Sequence, residues 1–345
     1  MKKKIINPCE LQLKAELDCE TYFDVLTLDY MKLFMYIIMG ARGIGKTTQY
    51  IGDCLSDFKM YGNEFIYLRR YKTELAGAKD LLKFWIDDYE YTGDKNGGGC
   101  YTWGGNVLGR AIALSVASNY KSGFDFSKTT TIIFDEAILM NGGSRRYLKN
   151  EVEELFEFCS TVFRHRKNVK IVILGNNLSF FNPYIVYFNV KIFKDKYIDK
   201  DKSLFIGYFK DSPKLRAIEE TTPLYKLTMG TAYHDYHYNN VVMSSEIVSY
   251  TQKSNSDKIQ CRIIYNNYTL NLYIRNGKIL CEAVNKIFDD GITYKLVTND
   301  KANWLYFDLF KKRWYNFVMY CYSDNKMLYT SHDSYALFLE LIDLF

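Results

Sequence analysis

Gly40-Ala41-Arg42-Gly43-Ile44-Gly45-Lys46-Thr47 fits the pattern G-x-x-x-x-G-K-[ST], and its flanks leave few folds open. Leu33 to Met39 is a continuous apolar run of strand length, and a polar helix is predicted from about Lys46 to Phe58. A strand that passes through a glycine-rich turn into a helix lets backbone N–H groups converge on an anion, where the helix dipole adds positive potential. The ligand such a loop calls for carries phosphates. Gly40, Gly43 and Gly45 shape the loop, Lys46 would bridge the β- and γ-phosphates of ATP, Thr47 would bind Mg2+, and Thr48 completes the set. Arg42, inside the loop, is a second candidate for a phosphate or interface contact.

The surrounding chain alternates strand-like and helix-like segments, the pattern of an α/β domain with a mostly parallel sheet. Phe65 to Leu68 is a short apolar run, and Ala78, Leu81, Leu82 and Trp85 have the spacing of one helix face. Asp94 to Gly99 reads as a flexible loop, and Tyr101 to Val116 as a hairpin turning at Gly104-Gly105. Thr130 to Phe134 is a buried strand, Leu148 to Phe163 a helix, and Val169 to Leu174 a final buried strand. The expected divisions are an ATPase domain over 1–205, a connecting lid or linker subdomain over 206–252, and a small α+β domain over 253–345.

Asp135 and Glu136 close the apolar run Thr131-Ile132-Ile133-Phe134. A carboxylate at the C-terminal end of a parallel strand projects into the ligand crevice. Asp135 would hold magnesium through its water shell, and Glu136 would orient or deprotonate the attacking water. A nucleotide kinase has no need of that second carboxylate, so the pair favours an ATPase of the additional-strand, catalytic-glutamate class. Asn176 ends the last apolar run, where a γ-phosphate sensor would sit. Arg164 and Arg166 follow a helix rich in Glu, so either they complement its negative end or one reaches the γ-phosphate of a neighbouring subunit. The loop 94–99 and the loop carrying Lys121 are the two candidate grips for a nucleic acid.

Composition narrows the class further. With 48% hydrophobic and 25% charged residues, disorder and collagen-like repeats are excluded. The net charge of +5 permits a polyanionic partner without requiring one. None of the 8 cysteines forms a CxxC or zinc-finger spacing, as expected of reduced, mostly buried thiols in a cytosolic protein. The N-terminus lacks an apolar signal core and no apolar run approaches membrane-spanning length, so neither secretion nor a membrane partner is expected.

Four blocks, GARGIGKTT, TIIFDE, TVFRHRKNVKIVILGNN with NPY, and KLTMGTAYHDYHYNN, together resemble the DNA-encapsidation ATPases of small short-tailed phages with protein-primed genomes, the Picovirinae type. The resemblance spans about 40–345. It implies an FtsK/HerA-like P-loop ATPase of the ASCE class that forms a pentameric ring at the portal of an empty prohead and drives double-stranded DNA inward. The setting would be the host cytoplasm, with transient docking on the prohead. On this likeness Lys46 is the Walker A lysine, Asp135 and Glu136 the Walker B pair, and Arg164 the trans-acting arginine. Lys72 falls where the family keeps a basic residue associated with DNA or the subunit interface. The last domain resembles a vestigial RNase H-type nuclease: between Asp257 and Glu282 there is no carboxylate to hold two metals. The rival reading is a non-motor ATP-dependent switch or loader that recruits partners.

Overall fold

A computed structural model describes residues 6–344 apart from 30, 121–122, 140–145, 177–181, 189, 191–195, 232–233, 235–237, 239–248, 266–267, 289, 296–304 and 325. The described residues within 1–139, 145–178 and 193–242 form one compact unit, and those within 140–144, 179–192 and 243–345 a second.

The first unit is organised on nine strands: β1 (Met35–Gly40), β2 (Glu64–Arg69), β3 (Glu90–Gly93), β4 (Gly99–Trp103), β5 (Asn106–Ala113), β6 (Thr129–Ile138), β7 (Lys170–Asn176), β8 (Lys196–Asp199) and β9 (Leu204–Phe209). Their order is β3-β4-β5-β2-β6-β7-β1-β9-β8. The central strands β5, β2, β6, β7, β1 and β9 pair in parallel, and β3, β4 and β8 add antiparallel edges. Ile37, Ile38, Ile132, Ile133, Ile171 and Ile173 are fully buried, as expected of parallel strands covered on both faces. Helix α1 (Lys46–Tyr61) leaves β1 through the glycine-rich loop, and α2 (Glu151–Phe163) connects β6 to β7. Two short helices, α3 (Pro213–Thr221) and α4 (Pro223–Thr228), follow β9.

Several expectations need correction. Residues 78–85 are not an α-helix but a run of tight turns, in which Leu81, Lys83 and Trp85 donate to the carbonyls three residues earlier. Ala78, Leu82 and Trp85 are buried all the same. Apolar spacing reports burial, and a run of tight turns buries these positions as an α-helix would. Segment 94–99 is a hydrogen-bonded turn: Asp94 Oδ1 accepts from Asn96 N at 2.7 Å and Gly98 N at 3.1 Å, and Tyr120 OH donates to Asp94 Oδ2, as in an Asx-turn. The apolar run ending at Leu174 is not the last buried strand, because β9 pairs with β1 on its other side. β9 also runs through the boundary expected at 205/206.

The N-terminal segment belongs to the same core. Leu11, Phe23, Val25 and Leu28 are buried there, and Phe23 N donates to Ile44 O within the glycine-rich loop at 2.8 Å.

A buried ion pair fastens α2 to the end of β6. Arg70 Nε lies 2.5 Å from Glu151 Oε2, with both side chains about 1% exposed, and Arg70 Nη2 donates to Glu151 Oε1 and to Ala137 O. Removing one partner leaves a desolvated charge, which costs about 3–5 kcal/mol. Glu151→Ala is therefore expected to lower the Tm of the first unit's transition by on the order of 10 °C, measurable by differential scanning calorimetry. A shift of only a degree or two would mean that water reaches the pair.

The second unit carries seven strands: β10 (Ser249–Tyr250), β11 (Ile259–Tyr265), β12 (Tyr268–Arg275), β13 (Lys278–Val284), β14 (Thr293–Lys295), β15 (Leu305–Tyr306) and β16 (Met327–Tyr329). They are ordered β10-β16-β13-β12-β11-β14-β15, with β11, β12 and β13 an antiparallel meander and the flanking pairs parallel. Helices α5 (Phe307–Arg313), α6 (Tyr315–Ser323) and α7 (His332–Leu344) lie in its C-terminal part. Phe310, Val318, Leu337, Phe338 and Leu341 pack with Leu270, Leu272 and Cys281 of the sheet. No described helix is long and apolar enough to cross a membrane.

Candidate functional site

The C-terminal ends of β1, β6 and β7 meet at a cleft of about 280 Å³ lined by Gly43, Gly45, Lys46, Thr47, Thr48, Asp135, Glu136, Gly175 and Asn176. The loop reaches this edge because Gly43 and Gly45 take left-handed φ values of 77° and 78°, which turn the chain from strand into helix without a Cβ penalty. Arg42 is exposed on the loop. Lys46 is 8% exposed and folded back, its Nζ donating to Gly40 O at 3.0 Å and Ala41 O at 2.7 Å, with Asn176 Oδ1 at 3.5 Å.

Burial pushes the Lys46 ammonium down to about 8, opposed by the nearby Asp135 charge and assisted by Arg42. Phosphate oxygens would restore the proton. Nucleotide binding is therefore expected to take up a proton above pH 8, with affinity falling up to about tenfold per pH unit as neutral Lys46 accumulates. Calorimetry in buffers of different ionisation enthalpy reads that uptake, and a pH-independent affinity to pH 9.5 would contradict it.

Asp135 sits at the centre of the cleft. Its Oδ1 accepts from Thr47 Oγ1 at 3.0 Å and from Glu136 N at 2.9 Å, and its Oδ2 accepts from Tyr67 OH at 2.9 Å. Burial and the Asp135 charge push the Tyr67 phenol well up, so it stays a donor. The oxygens of Thr47 and Asp135 are the hard donors that suit Mg2+, which takes few protein ligands beside phosphate and water. No group of three or more His, Cys, Asp or Glu side chains that could hold a metal ion is found among the described residues. The site's chemistry fits a magnesium-bound nucleotide.

Glu136 is placed by an irregularity in β6. The β6–β7 register shifts between Phe134 and Ile138, and Glu136 has φ 50°, a conformation uncommon for a residue with a Cβ. The break swings Glu136 out of the strand, where it is exposed toward the cleft. When β6 resumes, Ile138 passes so close to Gly175 that a Cβ there would lie 2.7 Å from it.

Arg69, at the end of β2, was not singled out by sequence reasoning, and it organises the acidic pair. Its Nη2 lies 2.6 Å from Glu136 Oε2 and its Nη1 3.8 Å from Asp135 Oδ2 and 3.2 Å from Tyr67 OH. The available signal was the place of Arg69 at the end of an apolar run in a strand adjacent to the Walker B strand.

The two arginines after α2 separate cleanly. Arg166 spends its guanidinium on four carbonyls, donating to Phe163 O, Ser127 O, Phe126 O and Val162 O, so it caps the helix end. Arg164 is exposed at the C-cap of α2 with φ 51°. Its side chain makes no hydrogen bond or ion pair among the described residues, and it borders a cavity of about 370 Å³ with Phe124, Phe126 and His165. Arg164 stands before β7, whereas the cleft lies beyond its far end, a separation of about 20 Å for a strand of that length. Arg164 cannot serve its own cleft.

Lys72 is exposed in the turn after β2 and lies against the 94–99 turn, its Cβ 3.4 Å from the position of a Cβ on Gly97. Lys121 lies outside the described residues. In the second unit, Glu282 accepts from Tyr273 OH, Asn271 Nδ2 and Lys253 Nζ, Asp257 pairs with Arg275, and Asp290 with Arg262. These carboxylates are committed to neighbours within the unit.

Comparison with known proteins follows the same lines. A family of sequences described as Podovirus DNA encapsidation protein (Gp16) matches residues 17–319. The DNA packaging protein of Bacillus phage phi29 is 31% identical over 247 residues, 72% of this chain and 73% of the relative. The fold resembles a chain of the bacteriophage Phi-29 viral genome packaging motor assembly, with a TM-score of 0.65 at 24% identity over 94% of this chain and 99% of that one. It also resembles a chain of the Phi-28 gp11 DNA packaging motor, with a TM-score of 0.59 at 16% identity over 94% and 97%.

Proposed function

Because the chain belongs to the podovirus DNA encapsidation protein family, we propose that it is the ATPase subunit of a motor that drives double-stranded DNA into a prohead. Lys46 would hold the β- and γ-phosphates of ATP, Thr47 and Asp135 would hold Mg2+, and Asn176 would contact the γ-phosphate. The metal, when bound, offsets the negative charge between those phosphates. Glu136, swung into the cleft by the break in β6, accepts the proton of the attacking water, and Arg69 holds its carboxylate in position.

The observation that carries the reading is the placement of Arg164 at the opposite end of the sheet from a cleft that otherwise has its lysine, hydroxyl and two carboxylates. On this reading a neighbour's Arg164 completes the site, and the subunits work as a closed ring, a pentamer, in which each completes the next. The working location is the host cytoplasm, with the ring docked transiently at the portal. DNA is held through phosphates, since a motor must move any sequence. Lys72 and the adjoining 94–99 turn form the first grip, Lys121 a second, and Arg42 an interface contact.

The test is ATP turnover by purified protein with proheads and linear DNA, scored by nuclease protection of the packaged DNA. Turnover stimulated by DNA of unrelated sequence, with protection that depends on ATP, is expected. Stoichiometric ATP binding without turnover or protection would identify a switch or loader instead.

A further inference from the structure

Two apolar surfaces stand at opposite ends of the first unit's sheet. At the end away from the cleft, the cavity of about 370 Å³ beside Arg164 is walled by Phe124, Phe126 and Val162, with Asp125 and Thr161 also lining it. Phe126 and Val162 are buried, whereas Phe124 is 39% exposed. The Phe124 ring stacks on Phe126 with centroids 6.2 Å apart, and Phe126 meets Phe158 of α2 edge-on. The wall is therefore held against α2, and it offers chiefly ring and aliphatic carbon.

The second surface stands at the cleft end. β9 runs parallel to β1 and ends at the same edge, and α3 follows it against the glycine-rich loop, with Glu219 Oε1 3.6 Å from the position of a Cβ on Gly43. The Thr222 hydroxyl caps α4 by accepting from Tyr225 N at 3.2 Å. The Tyr225 ring packs on His234 and Tyr238 with centroids 4.5 and 4.8 Å apart, which fixes the direction in which α4 faces. Leu224 and Leu227, a helical turn apart, are left exposed, Leu227 to 80%, and Met229 follows them, exposed as well. Apolar side chains exposed in series mark an interaction surface. Their charged neighbours match those of the cavity: exposed Lys226 precedes Leu227, and exposed Asp125 borders the cavity, so opposite signs flank the two apolar surfaces.

We propose that α4 of one subunit docks in the cavity beside Arg164 of the next, with Leu227 as its anchor. Within one copy the two surfaces lie a sheet apart, so only a second copy joins them. An Arg164 that enters a neighbour's cleft brings its cavity against the surroundings of that cleft, and Leu227 follows Glu219 there within about 12 Å of helical chain. The proposal rests on the reading that neighbours complete one another's clefts, and the experiment separates the two.

Full-length protein with magnesium and ATP is followed by sedimentation velocity, and its binding to proheads by co-sedimentation. Leu227→Asp replaces the anchor with a charge, and Thr161→Trp fills the cavity from α2. Each variant alone should self-associate about 30-fold or more weakly than wild type, the loss of one interface anchor. Each should bind ATP as tightly as wild type, because neither residue lines the cleft. Mixed, the two should form one-to-one dimers and nothing larger: the Thr161→Trp subunit still offers Leu227 and the Leu227→Asp subunit an open cavity, which makes one contact and leaves no second. Variants that associate as wild type does overturn the docking while the ring reading stands, and so does a mixture that stays monomeric. A Leu227→Asp protein that self-associates normally yet no longer binds proheads assigns α4 to the prohead and also overturns it. Loss of ATP binding in both variants overturns it as well, because the substitutions then act through the fold. Wild-type protein that neither self-associates nor gathers on proheads removes the ring reading and the docking with it.

Discussion

Mixing Arg164→Ala subunits with Glu136→Gln subunits under assembly conditions should restore part of the ATPase activity that each lacks alone. In the mixture some clefts pair an intact Glu136 with an intact Arg164 from the adjacent subunit. Arg164 is exposed, makes no side-chain hydrogen bond or ion pair among the described residues, and stands a strand length from its own cleft. An arginine supplied in trans contributes about 10³ to 10⁵ in rate, roughly 4–7 kcal/mol. A charge at a helix end contributes only about 0.3–1 kcal/mol. Steady-state ATPase with DNA and proheads therefore distinguishes the roles easily. Arg166 is the internal control: its four carbonyl contacts predict that Arg166→Ala loosens the end of α2 and is not rescued by mixing. An Arg164→Ala protein that keeps most of its DNA-stimulated activity alone would remove Arg164 from the mechanism.

Glu136→Gln by itself should leave ATP affinity nearly intact and lower turnover about 10²- to 10⁴-fold, the usual contribution of a positioned base. The amide keeps the volume of the side chain and one oxygen for Arg69 Nη2, which lies 2.6 Å from the carboxylate, so the break in β6 should survive. What disappears is the basicity. Equilibrium ATP binding measured beside single-turnover hydrolysis separates the two. Loss of binding in a folded variant would show that Glu136 supports the cleft rather than the chemical step.

The strand–loop–helix turn at Gly40–Thr47 was legible because its geometry is local: glycines, a preceding apolar strand and a following helix all lie within about one supersecondary unit. Asp135 and Glu136 were legible for the same reason, as the polar end of an apolar run. Arg69, Arg70 and Glu151 were not. In sequence, Arg69-Arg70 and the Glu-rich start of α2 read as solvated charge, and only pairing across the sheet brings Arg70 to Glu151, 81 residues away. Periodicity does not signal the break at Glu136 either, because it depends on how β6 passes Gly175. β9 escaped notice because its apolar run, Leu204 to Ile206 with Tyr208 and Phe209, lies at a shift in composition and reads as the edge of a domain. The tight turns over 78–85 place the same side chains inward as a helix would, so burial was read correctly and backbone type was not.

The distance between Arg164 and its own cleft also bears on symmetry. A subunit that gives its arginine from one end and receives one at the other makes a heterologous, head-to-tail contact, in which the two joined surfaces differ. Such contacts close into a ring only when the rotation between successive subunits divides a full turn; otherwise they propagate as an open helix. Where the contact's rotation only approximates a whole fraction of a turn, the contact alone does not close the ring. Closure would then be imposed by the surface on which the subunits gather, and protein concentrated away from the prohead should grow into polar filaments or lock-washers of variable length.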